Sequence, residues 1–245
     1  FEDCCEAHGS SIKGKKVGSF GLLSAWSFFV AHNMTTGEGG MIVTDDSNLR
    51  EILESIREFG RLKEYEPNMP RFYYDDGFLK DYDERYVFTN IGYNLRMTDI
   101  AASLGIEQLK KLDSLNNKRV EISKSYIKGL SKFSDYLKLP EIPPDVFHSF
   151  YGFPILIKPN SYFKRKELVN FLEDQNIETR AFMGGDLSIQ PAYRDTICRV
   201  GDKLENTHLA RDNAFFIGCH PFITPLQVKE VIDTFESFFS QKIVT

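Results

Sequence analysis

Residues 27–43 read SFFVAHNMTTGEGGMIV, a polar loop that leads into an apolar run through Gly39 and Gly40. The run at 39–45 ends in turn-forming residues, a pattern that predicts a strand. His32 lies in the middle of the loop. An imidazole is a base near neutral pH, so the stretch points to proton transfer at this loop.

Composition and charge exclude several function classes. The chain has 245 residues, of which 42% are hydrophobic and 27% charged, as in an ordinary globular protein. A net charge of −5 and the lack of basic runs argue against partners such as nucleic acid or a membrane surface. No apolar stretch is long enough to span a bilayer. The four cysteines lack zinc-type spacing and two are adjacent, so we expect no metal site and a reducing, cytoplasmic location.

The first half of the chain shows both helical and irregular patterns. Apolar residues recur on one helical face at 47–59. Thr98 and Asp99 are typical of a helix start, and this helix is expected to run, with breaks, to about residue 133. Residues 61–85 carry two Pro and four Tyr without a clean period, which predicts a long loop.

The second half reads as a smaller α+β unit. Strands are predicted at 151–158 and 213–219, and a helix at 164–176. The last helix is predicted to begin after Thr224, with Pro225 in its first turn. The prolines at 140, 143 and 144 end the preceding long helix and mark a boundary. We therefore expect two domains, 1–125 and 126–245.

The order of motifs is similar to that of a known family. FEDCCEAHGS, GSFG, SFFVAHNMTTGEGGMIVTDD, NIGYNLRMTDIAASLGIEQL, QPAY and IGCHPFIT resemble the PLP-dependent sugar aminotransferases of the DegT/DnrJ/EryC1/StrS type. The resemblance implies an α/β fold of fold type I, like aspartate aminotransferase. It further implies that the chain holds part of a large αβα domain followed by a small C-terminal α+β domain. Phe1 would enter the large domain midway, so we expect a longer chain.

The resemblance assigns four residues to the cofactor. Asp3 would keep the pyridine nitrogen of the cofactor protonated, which is the condition for its action as an electron sink. Glu6, where aminotransferases commonly have Gln, would approach the ring hydroxyl, and Ser27 would bind the phosphate. Asn94 would reach the phosphate of a neighbouring subunit, which implies a homodimer with shared active sites. The alternative is that these side chains satisfy nearby backbone groups.

His32 occupies the position of the lysine that forms the Schiff base in these aminotransferases. Histidine forms no stable imine but acts as a base. The substitution resembles the NDP-4-keto-6-deoxyhexose 3-dehydratases of this family, in which pyridoxamine phosphate (PMP) condenses with the 4-keto sugar and the histidine removes a proton. Glutamate would regenerate PMP as amino donor. DERYVFTNIGYNLRMTD, FMGGDLSIQP and the long loop at 61–85 also favour this branch. A solvated loop histidine, a chance replacement or an engineered mutation remains the alternative.

One subgroup of these dehydratases holds an iron–sulfur cluster with four cysteines. Cys5 matches its first ligand, but residues 60–95 contain no cysteine, and Cys198 and Cys219 lie far along the chain. Because cluster ligation requires thiolates, no iron–sulfur cluster is expected.

Two further residues are candidates for the substrate. Arg180 could bind the diphosphate of a nucleotide sugar, since guanidinium suits phosphate oxygens, or could form a surface ion pair. His220 could contact the sugar, and for both His220 and His8 a buried structural role is the alternative. The resulting hypothesis is a PMP/PLP-dependent dehydratase in deoxysugar or lipopolysaccharide O-antigen synthesis. The alternatives are an NDP-4-keto-sugar aminotransferase and a catalytically silent nucleotide-sugar-binding homologue.

Overall fold

The computed structural model describes residues 1–62, 73–74, 80, 82–159 and 161–243, which divide into two compact units. The first unit contains Phe1–His8 and Lys15–Lys110, and the second contains Gly9–Gly14 and Lys111–Thr245. The domain boundary suggested by the sequence, at residue 125, stays a prediction.

The described residues form short strands and six α-helices. The strands are β1 (Glu2–Asp3), β2 (Ser11–Ile12), β3 (Lys15–Lys16), β4 (Leu23–Ser27), β5 (Gly40–Thr44), β6 (Tyr73–Tyr74), β7 (Tyr82–Asp83), β8 (Leu137–Lys138), β9 (Val146–Phe147), β10 (Gly152–Ile157), β11 (Thr179–Ala181) and β12 (Ala214–Gly218). The helices are α1 (Ser47–Arg57), α2 (Asp99–Leu109), α3 (Leu112–Leu130), α4 (Arg165–Asp174), α5 (Glu205–Asn213) and α6 (Pro225–Ile243).

The first unit contains a three-stranded sheet in the order β1-β4-β5. Strands β1 and β4 are parallel, with Asp3 opposite Ala25, and β5 returns antiparallel to β4, with Gly40 opposite Ser27. The carboxyl ends of parallel strands meet at one edge of a sheet. The loops that follow Asp3 and Ser27 therefore leave from the same edge, where α/β proteins commonly bind ligands.

The helices of the first unit form where the sequence predicted them. The helix expected at 47–59 forms as α1, and Asp46 caps it by accepting hydrogen bonds from the N–H groups of Asn48 and Leu49. Thr98 caps α2 as predicted, with its Oγ1 3.2 Å from the Ala101 nitrogen. The expected break falls at Lys110 and Lys111, between α2 and α3.

The long loop predicted at 61–85 lies largely outside the described residues. Within that stretch the structure describes 61–62, 73–74, 80 and 82–85. Strands β6 and β7 pair there, with Tyr73 opposite Asp83. The prediction of one long loop stays untested over the remainder.

The second unit is built on an antiparallel sheet in the order β11-β12-β10-β8. Strand β10 alternates between buried and half-buried positions, so one of its faces lies on the core. Helix α6 begins as predicted: Thr224 Oγ1 accepts from the Gln227 nitrogen at 3.3 Å, and Gln227 Oε1 accepts from the Thr224 nitrogen at 2.9 Å. The largest fully buried side chains are Tyr126, Phe153, Phe215, Phe235, Phe239, Leu130, Leu137, Ile155, Ile157, Leu168, Leu172 and Ile217.

In the described part of the chain, no helix combines the length and the apolar character that a bilayer crossing requires.

Candidate active site

A tight turn after β1 presents Asp3 at the sheet edge. The Cys4 N–H donates to the Ala25 carbonyl at 2.9 Å, which ties the turn to β4, and the Ala7 N–H donates to the Cys4 carbonyl at 3.0 Å. The Cys5 N–H donates to Asp3 Oδ1 at 3.1 Å. Hydrogen bonds from the Cys5 thiol and from its N–H lower the pKa of the exposed Asp3 carboxyl below its ordinary value. Asp3 is therefore an ionised carboxylate that is open to a ligand.

The loop after β4 is closed by hydrogen bonds to Phe28. The Phe28 carbonyl accepts from the Thr36 N–H at 3.0 Å and from Thr35 Oγ1 at 3.1 Å, while the Phe28 N–H donates to the Gly39 carbonyl at 2.9 Å. A Cβ at Gly39 would lie 2.6 Å from Thr36 Oγ1, so only glycine allows this approach. The result is a closed loop that returns directly to β5 and holds His32 near its middle.

His32 faces a different polar group with each ring nitrogen. Its Nδ1 lies 3.4 Å from the Ser27 carbonyl oxygen, and its Nε2 lies 3.8 Å from Glu6 Oε1. The His32 side chain is only 11% exposed, whereas the Glu6 side chain is 35% exposed. Burial raises the pKa of the Glu6 carboxyl, an effect that the positive charge of His32 opposes and that Asp3 reinforces. An imidazole and a carboxyl group are thus adjacent at the sheet edge.

His8 is buried close to His32. It is 3% exposed, and its ring centroid is 5.2 Å from that of Trp26 and 5.8 Å from that of Phe28. Burial, together with the charge of His32, lowers the pKa of His8 to about 4. His8 is consequently a neutral residue packed among aromatic rings, which agrees with the buried structural role that the sequence offered as the alternative.

Ser27 and Asn94 lie on separate segments of the first unit. The half-buried Ser27 is the last residue of β4, and its Oγ accepts from the Phe29 N–H at 3.2 Å. The exposed Asn94 accepts a hydrogen bond from Arg96 Nε at 3.2 Å. The segment at 88–97 (the Asn94 segment) is held to the end of α1 through Phe59, whose N–H donates to the Tyr93 carbonyl at 2.7 Å.

Two glycines permit that attachment. A Cβ on Gly92 would lie 2.1 Å from the Gly60 nitrogen, and a Cβ on Gly60 would lie 1.8 Å from the Asn90 carbonyl oxygen. Any larger residue at either position would push the Asn94 segment away from α1.

The two substrate candidates belong to the second unit. Arg180 is exposed on β11 opposite Phe216, and its guanidinium forms an ion pair with Glu178. His220 is exposed, and its Nδ1 accepts from the Phe222 N–H at 3.4 Å. Partial burial, and to a lesser degree the charge of Arg119, lowers the pKa of His220. The ion pair is the alternative that the sequence suggested for Arg180, and both substrate roles stay predictions.

The structure therefore brings Asp3, Glu6, Ser27 and His32 together at one edge of the sheet. The contact between Glu6 and His32 was not foreseen from the sequence. A signal was available: if β1 and β4 are parallel neighbours, the residues that follow Asp3 and Ser27 must meet. By their chemistry, Asp3 can hold a ring nitrogen, Glu6 a hydroxyl and Ser27 a phosphate, and His32 can move a proton.

Comparisons with known proteins connect this site to a family. A model of the DegT/DnrJ/EryC1/StrS aminotransferase family matches residues 1–236. The dTDP-4-dehydro-2,6-dideoxy-D-glucose 3-dehydratase of Saccharopolyspora spinosa is 37% identical over 98% of this chain and 53% of its own length. The UDP-4-amino-4,6-dideoxy-N-acetyl-beta-L-altrosamine transaminase of Campylobacter jejuni is 31% identical over 98% of this chain and 58% of its own length.

A solved structure shares the fold. The GDP-4-keto-6-deoxy-D-mannose-3-dehydratase of E. coli, determined with bound hydrated PLP, superposes with a TM-score of 0.80 at 30% identity, over 95% of this chain and 59% of that one. This confirms the predicted α/β fold class, fold type I. The chain spans little more than half the length of these relatives, which include both 3-dehydratases and a transaminase. The chain therefore belongs to the DegT/DnrJ/EryC1/StrS aminotransferase family of PLP-dependent enzymes.

Proposed function

We propose that the chain belongs to a cytoplasmic PMP/PLP-dependent dehydratase that removes the C3 hydroxyl from an NDP-4-keto-6-deoxyhexose, for deoxysugar or O-antigen synthesis. The observation that carries this proposal is His32, an imidazole at the position of the family's reactive lysine, with Nε2 3.8 Å from a carboxylate. An imidazole abstracts protons but does not form a stable imine. The 3-dehydratases among the relatives support the same direction.

The residues at the sheet edge fit the cofactor. A protonated pyridine nitrogen needs an anionic partner, and Asp3 is an exposed carboxylate whose pKa is held low by its hydrogen bonds to Cys5. Glu6 offers a second carboxyl oxygen for a ring hydroxyl, and Ser27 offers a hydroxyl for the phosphate. When bound, the cofactor would supply an electron sink for cleavage of the bond at C3 of the sugar.

The chain's own residues would divide the work as follows. Asp3 holds the proton on the ring nitrogen, and Ser27 and Asn94 bind phosphate oxygens. The hydrogen bonds that close the loop at Phe28 keep His32 in place, and its Nε2 accepts the proton. Arg180 and His220 are proposed to bind the nucleotide diphosphate and the sugar.

The cysteines support chemistry without an iron–sulfur cluster. Burial, reinforced by a hydrogen bond to Asp3, raises the pKa of the Cys5 thiol to about 11. A four-cysteine cluster needs four thiolates, and residues 60–95 contain no cysteine. Regeneration of PMP by glutamate completes the proposed cycle without an external electron carrier.

The proposal is tested by assaying the full-length protein with PMP and glutamate on GDP-, CDP- and dTDP-linked 4-keto-6-deoxyhexoses. We expect a 3-deoxy-4-keto product and release of ammonia. An amino sugar as product, or a cofactor that borohydride fixes to a lysine, would favour the aminotransferase alternative, which the transaminase among the relatives keeps open. Bound cofactor without turnover of any of these sugars would favour the silent homologue.

The shared-site homodimer has its own test. Ile91, which lies in the Asn94 segment, is 92% exposed, and Ile197 in the second unit is fully exposed. If the segment at 88–97 lies in a dimer interface, Ile91→Lys should yield monomers and weaken cofactor binding by about tenfold or more, because buried unpaired charge is costly. Ile197→Lys is the matched control, measured by light scattering. A dimeric Ile91→Lys variant with normal cofactor affinity would reject this interface.

A further inference from the structure

The chain differs from the aminotransferase pattern at two site positions, and these two residues contact each other. The resemblance places Glu6 where aminotransferases commonly have glutamine and His32 where they have the reactive lysine, and Glu6 Oε1 lies 3.8 Å from His32 Nε2. We propose that Glu6 is a positioning residue that stabilises the proton taken up by His32 on Nε2. The inference rests on the proposed function of His32 as the base.

The groups around the His32 ring determine which of its two nitrogens accepts the proton. Nδ1 lies 3.4 Å from the Ser27 carbonyl, and a carbonyl oxygen only accepts hydrogen bonds. A neutral imidazole carries one N–H, so the Ser27 carbonyl favours the tautomer with the proton on Nδ1. The lone pair is then on Nε2, the nitrogen that faces Glu6.

The distance between the two side chains leaves that lone pair available. At 3.8 Å, Nε2 and Oε1 are too far apart for a hydrogen bond but close enough for a strong charge interaction. When Nε2 takes up a proton, the ring becomes a cation and the carboxylate beside it balances the charge. No other proton moves in this step, and the pair changes from a net charge of −1 to zero.

The charged groups near His32 differ in their effect on a protonated His32 ring. Asp3 and Glu6 attract a positive ring, while His8 interacts with it as a buried neutral side chain. Among these, Glu6 is the group in direct contact. Its carboxyl has a pKa raised by burial and lowered by the charge of His32, so protonation of one partner affects the other.

A glutamine at position 6 could not do this, because an amide has no charge to offset an imidazolium. Beside a reactive lysine the opposite holds, since a neighbouring carboxylate would favour the charged amine over the nucleophilic one. The pair Glu6–His32 is therefore internally consistent for a proton-transfer site, as Gln with Lys is for an imine-forming site.

The first experiment needs no cofactor. In the full-length cofactor-free protein, the Glu6 carboxyl is titrated by 13C NMR in the parent, in His32→Asn and in the control His208→Asn, which removes an imidazole that contacts Asp186 instead. Loss of the His32 charge should raise the Glu6 midpoint by about one pH unit, the scale of a close charge pair. The control should leave it unchanged. An unchanged midpoint in His32→Asn would overturn the inference.

The second experiment tests whether Glu6 acts through His32. Glu6→Gln keeps a side-chain oxygen for the ring hydroxyl and removes only the charge, so it should lower kcat for dehydration by about 10–100-fold with KM unchanged. Glu38→Gln, which changes an exposed carboxylate in the loop of His32, should have little effect. In the double variant Glu6→Gln/His32→Asn, the loss should be no larger than in His32→Asn alone. Losses that multiply would overturn the inference. A parent without dehydratase activity would instead reject the proposed function, and the carboxyl titration would still decide on the pair.

Discussion

Strand β5 of the first unit leaves Met41, Ile42 and Val43 at 48%, 50% and 40% exposure, whereas β10 of the second unit buries Phe153, Ile155 and Ile157 to 1% or less. Both strands are apolar in sequence. They differ in what packs on them: β10 lies in the aromatic core of the second unit, while both faces of β5 remain open among the described residues. Apolar sequence predicts a strand, but only neighbouring elements bury it.

The comparison separates stability from chemistry. The second unit has a large aromatic core, in which Phe163, Phe238 and Phe239 stack edge to face. Among the described residues, the first unit has fewer buried apolar side chains, and it holds the acidic and imidazole groups of the site in its loops. We therefore expect the largest losses of activity from mutations at the site in the first unit and the largest losses of unfolding free energy from mutations in the core of the second, and four predictions test this comparison.

The largest expected effect is at His32. His32→Asn should lower dehydration by about 10²–10⁴-fold, because an amide is not a base at neutral pH. Binding of PMP and of the nucleotide sugar, measured by equilibrium dialysis on the full-length protein, should change little. Dehydration at the parent rate would mean that another residue is the base. His32→Lys would restore an imine-forming amine, which mass spectrometry after borohydride treatment would detect.

The next effect is in the core of the second unit. Phe235 is 0% exposed on α6, and Leu226 on the same helix is 73% exposed. Phe235→Ala should reduce the free energy of unfolding by about 3–5 kcal/mol, from lost burial and a residual cavity. Leu226→Ala should change it by less than about 0.5 kcal/mol. Urea unfolding measures both, and equal effects would contradict the assignment of the core.

A third effect concerns pH and the first unit. His8 has a folded pKa of about 4, below its unfolded value of 6.5. The unfolded state therefore binds more protons as the pH falls from about 6.5 towards 4, and stability decreases over that window by up to about 3 kcal/mol. In His8→Leu this part of the pH dependence of urea unfolding should disappear. The slope that remains should reflect buried groups such as His148, whose pKa burial also lowers. An unchanged slope would show that His8 is not buried in its neutral form.

The smallest effect is at the helix caps. Thr98 caps α2 in the first unit, and Thr224 caps α6 in the second. Replacement of a capping Thr by Ala costs about 1 kcal/mol. Thr224→Ala should therefore lower the unfolding free energy of the second unit, because α6 belongs to its core. Thr98→Ala should act on the first unit only, as hydrogen exchange of α2 would show. An effect of Thr98→Ala on α6 exchange would contradict this expectation.

Local signals predicted local structure well. The cap of α6 depends on Thr224 and Gln227, which are three residues apart, and its buried stripe follows the helical period. Two of the proposed site residues lie at strand ends, Asp3 at the end of β1 and Ser27 at the end of β4, and their roles stay predictions. The sequence predicted fewer of the contacts between segments that are distant in the chain. The apolar face predicted for α1 includes Ile52, which is 45% exposed.

The sequence by itself predicted the helices α1, α2, α3, α4 and α6, the strands β5, β10 and β12, the family and the identity of the chemical groups, because these depend on residue type and short spacing. Helix α5 and most of the shorter strands were not predicted. Tertiary structure alone decided that Glu6 meets His32 and that the backbone at Gly60 lies against Gly92. These contacts join segments far apart in sequence. They form only when parallel pairing of β1 with β4 and docking of the Asn94 segment on α1 bring the backbones together. No local propensity encodes such a distance, since it is set by the packing of whole elements.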